Sequence, residues 1–284
     1  MDFTVKIKDT REMIKSWRKQ ELSIGFVPTM GYLHDGHRSL IEKARRENDK
    51  VVVSIFVNPI QFGPNEDFAK YPRDMERDMK VCTEAGADLV FAPEDTEMYP
   101  VRNLAYMDIE SLGDRLCGSK RPGHFRGVCT VVAKLFNIIM PDRTYFGQKD
   151  AQQLAIISRM VRDLDFPTEI VPCPIIREPD GVAMSSRNSY LSTEERAAAP
   201  VIQKSLNMAY EALLKGERDA EKIKNMISEI ILSEPHARID YVDVADAFTL
   251  EAVEAVKGSV LVAVAVYMGR TRLIDNISFK EAGI

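Results

Sequence analysis

Cysteine is scarce in this chain, and its four copies, Cys82, Cys117, Cys129 and Cys173, never fall in a CxxC pair. That spacing argues against a disulfide framework or a zinc ribbon and favours reduced, mostly buried thiols. Long apolar runs are missing too. The longest, Val260 to Met268, is too short to span a bilayer. The N-terminal MDFTVKIKDTREMIK places charges where a signal peptide needs an apolar core. Nor is there a basic run: 38 Lys and Arg against 43 Asp and Glu leave a formal net charge of −5. Binding to nucleic acid or to an anionic membrane needs clustered cations, so neither partner is expected. Together these absences predict a cytoplasmic protein.

What is present is an ordinary globular composition, 45% hydrophobic and 29% charged over 284 residues, long enough for two domains with cores of their own. Residues 24–28 (IGFVP) and 51–57 (VVVSIFV) read as buried strands. Between them a helix is predicted over about 36–48, with Leu40, Ile41 and Ala44 as its apolar stripe. The alternation continues with a helix over 73–85, a strand at 88–92, and a helix over 128–139 that stops before Pro141. A strand at 144–146, a helix over 151–164 and a strand at 168–171 follow. Such spacing implies parallel βαβ units, hence an α/β fold with a Rossmann-like doubly wound parallel sheet. After Arg187 the texture changes. Ser192 and Glu195 form a capping box that opens one long helix to about Lys215. A helix over 220–232 and strands near 239–244, 260–267 and 272–277 complete a smaller C-terminal α+β domain. The boundary is placed within 177–190, giving a nucleotide- and substrate-binding domain over 1–180 and a lid domain over 181–284.

The chemistry concentrates in Pro28-Thr-Met-Gly-Tyr-Leu-His-Asp-Gly-His37, where the first of these strands turns into its helix. That is the ligand-binding edge of an open α/β sheet. His34 and His37 are three apart at the helix start and face one side together. Gly36 lets a phosphate approach the backbone, and the helix N-terminus favours negative charge. Two imidazole donors there suit charge building at an α-phosphorus. Incidental surface histidines and a metal pair are the alternatives, and no third metal ligand is adjacent in sequence. Lys149 follows a strand-like run and Gly147, so its ammonium can reach polyphosphate while the glycine admits a nucleotide. A solvated helix-start lysine is the plainer reading. Met184-Ser-Ser-Arg-Asn188, just after Asp180-Gly181, offers hydroxyls and a guanidinium from a mobile loop, a weak signal by itself. Gln61 and Gln153 are neutral amides able to hydrogen-bond the hydroxyl and carboxylate oxygens of an acid, with Asn58 at the end of the second strand. Buried, satisfied amides are the alternative. Arg121, His124 and Arg126 are further candidates for an acid or phosphate pocket. Residues 63–72 (GPNEDFAKYP) read as a loop that closes over the site or as an inert turn.

HxGH after a strand resembles the nucleotidyltransferase superfamily that includes class I aminoacyl-tRNA synthetases. The longer PTMGYLHDGH resembles a narrower group, the pantoate–β-alanine ligase (pantothenate synthetase) family. So do FVNPIQF at 56–62, RPGHFRG at 121–127, YFGQKD at 145–150 and MSSRN at 184–188. The resemblance spans nearly the whole chain and is weakest after residue 200. It implies ATP, (R)-pantoate and β-alanine as substrates, a pantoyl-adenylate intermediate, and release of AMP and pyrophosphate. Mg²⁺ is implied on the ATP phosphates, with no metal site assigned to the protein, and a homodimer is implied. The catalytic set carried over is His34, His37 and Lys149. ATP contacts carried over are Met30, Gly31, Tyr32, Leu33, His34, Asp35, Gly36 and His37, then Gly147, Gln148, Lys149, Asp150 and Ile176. Met184, Ser185, Ser186 and Arg187 match the superfamily's second phosphate-binding loop. Gln61 and Gln153 match contacts to pantoate, with Gln61 also near the β-alanine site, and Asn58 at the end of the second strand is placed to assist in pantoate/β-alanine binding. Two rivals stay open: a nucleotidyltransferase that keeps the nucleotide on its product, and a synthetase-like module that binds RNA without ligation.

Overall fold

The computed structural model describes residues 1–64 and 66–280. The chain forms two compact units, one of residues 1–114, 118–148 and 153–174, the other of residues 115–117, 149–152 and 175–284.

The first unit runs β1 (Asp2–Thr4), α1 (Ile7–Lys19), β2 (Ile24–Thr29), α2 (Asp35–Glu47), β3 (Lys50–Ile55), α3 (Met75–Ala85) and β4 (Leu89–Phe91). After the single turns α4 (Asp95–Met98) and α5 (Cys117–Lys120) come α6 (His124–Ile139), β5 (Arg143–Gly147), α7 (Ala151–Asp163) and β6 (Glu169–Cys173). The opening residues of α5 and α7 belong to the second unit. All six strands are parallel, in the order β1-β4-β3-β2-β5-β6. Parallel neighbours need helical crossovers that cover both faces, so the strands read as unbroken apolar runs. Accordingly Val51, Val52, Val53, Leu89, Val90 and Phe91 are wholly buried. The winding leaves β2 in opposite directions, toward β3 on one side and β5 on the other. That reversal is the switch point at which open α/β sheets bind ligands, beyond the carboxyl ends of the strands. The doubly wound parallel sheet read from the sequence is the one observed.

Neither β1 nor α1 was anticipated. β1 is a three-residue strand among charges, and it exists because Asp2, Phe3 and Thr4 pair with Leu89, Val90 and Phe91. Local propensity carries no trace of such a pairing.

The second unit holds α8 (Thr193–Ala198), α9 (Val201–Leu214), α10 (Ala220–Leu232), β7 (Ala237–Asp246), β8 (Ser259–Met268) and β9 (Thr271–Lys280). Its strands form an antiparallel meander, β7-β8-β9, against which α9 and α10 pack. Leu206, Ile223, Ile227, Val260, Val262 and Val264 lie in one buried cluster, so the smaller α+β domain is confirmed. The single helix expected from Ser192 to Lys215 is instead two helices. Pro200 has no N–H to continue the ladder, and it serves as N-cap of α9. The capping box itself is present: Glu195 N donates to Ser192 Oγ, and Ser192 N donates to Glu195 Oε2. Among the described residues no helix is long and apolar enough to cross a membrane.

β9 carries a polar pair inside this core: Asp275 is 4% exposed and Asn276 5%. Arg177 grips Asp275 through both guanidinium arms at 2.7 and 3.0 Å and also donates to Gly181 O. Such a pair contributes little net stability when intact, but removing one partner strands the other charge. Asp275→Ala is therefore expected to cost about 3 kcal/mol. Urea denaturation measures it, and a loss well below 1 kcal/mol would show that Arg177 finds water instead.

Candidate active site

Beyond β2 the chain must turn sharply into α2, and it does so through two left-handed residues, Gly31 (φ +81°) and Tyr32 (φ +51°). Glycine is needed at 31 for a second reason: a Cβ there would stand 2.8 Å from Asp78 Oδ2 and 3.0 Å from Ile55 Cγ2. The left-handed conformation of Tyr32 costs about 1–2 kcal/mol in steric strain. The turn is tied on every side. Gly31 N donates to Thr29 Oγ1 at 3.1 Å, Tyr32 N to Asp78 Oδ2 at 2.9 Å and Leu33 N to Asp78 Oδ1 at 2.7 Å. Asp78 lies on α3 and is 1% exposed. Burial pushes its carboxyl above the ordinary carboxylate range, against the opposing pull of the two N–H bonds.

α2 opens on a capping box made of histidines. His34 Nδ1 accepts from Gly36 N at 3.1 Å, and His37 Nδ1 accepts more weakly from His34 N at 3.4 Å. A ring nitrogen that accepts from an N–H carries no proton, so each neutral ring is protonated on Nε2. The two rings lie 4.1 Å apart, centroid to centroid. Two Nε2–H donors thus stand at the positive end of a 13-residue helix, at the sheet's switch point. The helix N-terminus and the ring N–H groups both favour negative charge there.

The end of β3 supplies a second cluster in the same unit. Asn58 Nδ2 donates to Gln61 Oε1 at 3.0 Å and to Gly127 O at 3.2 Å, and Asn58 Oδ1 accepts from Tyr99 OH at 2.8 Å. Burial raises the Tyr99 hydroxyl's pKa, so it stays a donor. Gln61 Nε2 donates to Met30 Sδ at 3.1 Å. A thioether is a weak acceptor that a carboxylate or hydroxyl oxygen can displace. Gln61 is also held through its backbone: His124 Nδ1 lies 2.8 Å from Gln61 O, and a carbonyl can only accept. His124 Nδ1 therefore bears the proton and Nε2 accepts from Arg121 Nη1 at 3.0 Å. Arg121 in turn binds Glu66 with Nε and Nη2. Burial pushes the Glu66 carboxyl up, but the Arg121 guanidinium outweighs it and holds the group below the usual range. Glu66 is thus latched to the segment just before α6, and the charge of Arg121 is engaged in the latch. Arg126 stacks over Tyr106 at 4.1 Å. Beside the Gly31 turn a cavity of about 520 Å³ is lined by Met30, Phe56, Arg73, Asp78 and Asp95, among others.

Gly147 ends β5, and a Cβ there would meet no protein atom within 4 Å. In the second unit Lys149 Nζ stands 3.8 Å from Asp150 Oδ2 with its side chain 19% exposed, and Asn276 Nδ2 holds the Lys149 carbonyl at 2.9 Å. Ile176 O accepts from Met184 N at 3.0 Å, closing a small hairpin that turns at Gly181 (φ +95°). Ser185 caps the 3₁₀ turn Ser186–Tyr190 by accepting from Arg187 N at 3.3 Å. Asn188 ties this turn to Glu178 and Ala183, and Arg196 on α8 pairs with Glu178 and Asp180. Gln153 is half-buried on α7, while its neighbour Gln152 is buried and bonded to the main chain of Arg115 and Cys117. Among the described residues no group of three His, Cys, Asp or Glu side chains gathers to hold a metal.

Two supports escaped the sequence reading. Asp78 shares a helix face with Cys82 and Ala85, all three buried, so an acid on an apolar stripe was the signal. Asn276 and Asp275 sit in the run Leu273-Ile-Asp-Asn-Ile277, where a polar pair interrupts a buried strand.

A doubly wound sheet with a histidine-capped helix at its switch point defines an α/β protein of the kind whose ligand edge lies beyond the carboxyl ends of its strands. The sequence model of the pantoate-beta-alanine ligase family matches residues 2–278. A pantothenate synthetase from Clostridium acetobutylicum is 60% identical over 279 residues, covering 98% of this chain and 99% of that one. The crystal structure of pantothenate synthetase from Thermus thermophilus superposes with a TM-score of 0.93 at 45% identity, over 98% of this chain and 99% of that one. The Francisella tularensis pantoate-beta-alanine ligase, complexed with beta-gamma ATP and beta-alanine, superposes with a TM-score of 0.78 at 36% identity, over 98% and 97% of the two chains. This chain belongs to the pantoate–β-alanine ligase family.

Gly127 offers a test of the amide cluster. A Cβ there would come within 2.5 Å of Ile60 O and 2.6 Å of Gln61 Cα. Gly127→Ala is expected to shift the 59–61 turn, destabilise by about 1–3 kcal/mol and raise the KM for the acid substrate. An unchanged KM would show that the placing of Gln61 is not what binding depends on.

Proposed function

We propose that this chain joins (R)-pantoate to β-alanine through an enzyme-bound pantoyl adenylate, cleaving ATP to AMP and pyrophosphate. The observation that carries the reading is the pair of Nε2–H donors fixed at the start of α2, on a chain of this family. A carboxylate is a poor electrophile, so its oxygen first attacks the α-phosphorus and the bond to pyrophosphate breaks. The uncharged β-alanine amine then attacks the acyl carbon, loses its proton, and AMP departs.

In this reading His34 and His37 donate to the α-phosphate oxygens as charge builds there, a contribution that is strong because the donors are already oriented. Met30, Gly31, Tyr32, Leu33, Asp35, Gly36, Gly147, Gln148, Asp150 and Ile176 surround the nucleotide. Lys149 supplies a cation to the polyphosphate, and Met184, Ser185, Ser186 and Arg187 grip the departing pyrophosphate. Asn58, Gln61 and Gln153 hold the acid by neutral hydrogen bonds, which leave its carboxylate nucleophilic. Mg²⁺ enters as part of the ATP substrate, and the family likeness supports a cytoplasmic homodimer.

Labelled pyrophosphate is expected to exchange into ATP with pantoate alone, and AMP to accumulate only once β-alanine is added. Exchange that requires β-alanine would rule out a free adenylate. Release of a nucleotidylated product would favour the transferase rival.

Two variants separate nucleotide chemistry from folding. Lys149→Ala is expected to slow adenylation roughly 30- to 1000-fold while costing at most about 1 kcal/mol of stability. Gly147→Ala adds a methyl group to open space, so melting should be unchanged while the KM for ATP rises at least about tenfold from the misplaced nucleotide. Near-normal kinetics in either variant removes that residue from the site.

A further inference from the structure

The carboxylate that anchors the histidine turn comes from another helix, α3, and belongs to none of the groups assigned to substrate. We propose that Asp78 is the positioning residue of this site: by fixing the main chain of Tyr32 and Leu33 it aims the Nε2–H groups of His34 and His37. Its consequence for catalysis rests on the adenylation reading, while its geometry does not.

Four observations converge. First, each Asp78 oxygen takes one of two consecutive N–H groups, at 2.9 and 2.7 Å. Only a carboxylate offers two equivalent acceptors at that spacing, since an amide of the same shape turns one of them into a donor. Second, the turn it holds is strained, with Tyr32 left-handed at φ +51°, so a released turn has a lower-energy conformation to fall into. Third, the fit is close, with the Gly31 Cβ position only 2.8 Å from Asp78 Oδ2. Turn and carboxylate cannot shift independently. Fourth, Leu33 is followed directly by His34, whose backbone N–H is accepted by His37 Nδ1 and whose own Nδ1 accepts from Gly36 N. Rotating the 32–33 peptide therefore undoes both bonds that set the ring tautomers.

Burial, with Asp74 adding to it, raises the Asp78 carboxyl above its unfolded value despite the N–H bonds and Arg77. A raised folded pKa stabilises below the unfolded value, and that share is lost as pH rises through the folded one.

The test compares wild type with Asp78→Asn and Asp78→Glu in pantoate-dependent pyrophosphate exchange, which needs no β-alanine. D78N is expected to lower kcat roughly 30- to 300-fold with the KM values for ATP and pantoate within about threefold, as for a small misplacement of catalytic groups. D78E keeps both acceptors and has the cavity beside it for its longer arm, so it should recover at least about tenfold over D78N. ¹⁵N imidazole spectra give a readout independent of turnover. His34 and His37 should both be Nε2–H in wild type and D78E, and at least one should become a tautomer mixture in D78N. Should D78N fail to fold, the wild-type and D78E spectra and slow hydrogen exchange at Tyr32 and Leu33 still decide. The proposal is overturned by D78N that exchanges at the wild-type rate, by a loss that tracks melting temperature across the variants, or by one confined to the β-alanine step. The last result would mean that Asp78 binds the amine. Wild type inactive with pantoate would instead sink the substrate assignment, leaving the tautomer measurement to judge Asp78 alone.

Discussion

A buried chain that leaves a strand and enters a helix must find acceptors for main-chain N–H groups that neither element satisfies. At this switch point five such needs are met by side chains. Thr29 takes Gly31 N, Asp78 takes Tyr32 N and Leu33 N, His37 takes His34 N, and His34 takes Gly36 N. The last two acceptances also set the ring tautomers. Committing Nδ1 to the backbone leaves Nε2 with the proton in both rings, so the requirement that folds the turn also prepares its donors. The helix dipole acts on any phosphate in the same direction.

The same arrangement recurs where other candidate residues are held. Gln61 and Lys149 each present a side chain from a main chain whose carbonyl is clamped by a distant side chain. His124 Nδ1 does this at 2.8 Å for Gln61, and Asn276 Nδ2 at 2.9 Å for Lys149. Each clamp is backed by an ion pair, Arg121 with Glu66 in one case and Arg177 with Asp275 in the other. Neither pair is notable for net stability. Their effect is to remove backbone freedom from residues whose side chains must keep a direction, which is what a preorganised site requires.

Much of the sheet was legible because a parallel sheet covered on both faces writes itself as apolar runs separated by amphipathic helices. Residues 51–53 and 89–91 could hardly be read otherwise. The motif from Pro28 to His37 was legible for a different reason: two of the chain's four histidines stand three apart at a strand end. What stayed hidden was long-range. β1 exists only through its pairing with β4, and the break at Pro200 needed the proline's missing N–H to be weighed above the capping box before it. Asp78 and Asn276 were hidden because a buried polar residue announces itself in sequence only as a flaw in an apolar pattern. Its partner, 45 residues away for Asp78–Leu33 and 127 for Asn276–Lys149, is supplied by the fold.

A histidine-capped turn does not by itself choose between moving a nucleotide and activating an acid, since both put charge on an α-phosphate. The choice falls on what holds the other reactant. A lysine or arginine would bind a carboxylate tightly and, by the same charge, weaken its attack on phosphorus. Here the residues at the end of β3 are amides bonded to one another, with Gln61 Nε2 directed at the Met30 sulfur. The basic candidates nearby have their charges engaged, Arg121 by Glu66 and Arg126 by the Tyr106 ring. Hydrogen bonds from neutral donors orient an oxygen while leaving most of its negative charge available. Under the proposed function, amides in place of cations beside the acid leave it free to act as the nucleophile.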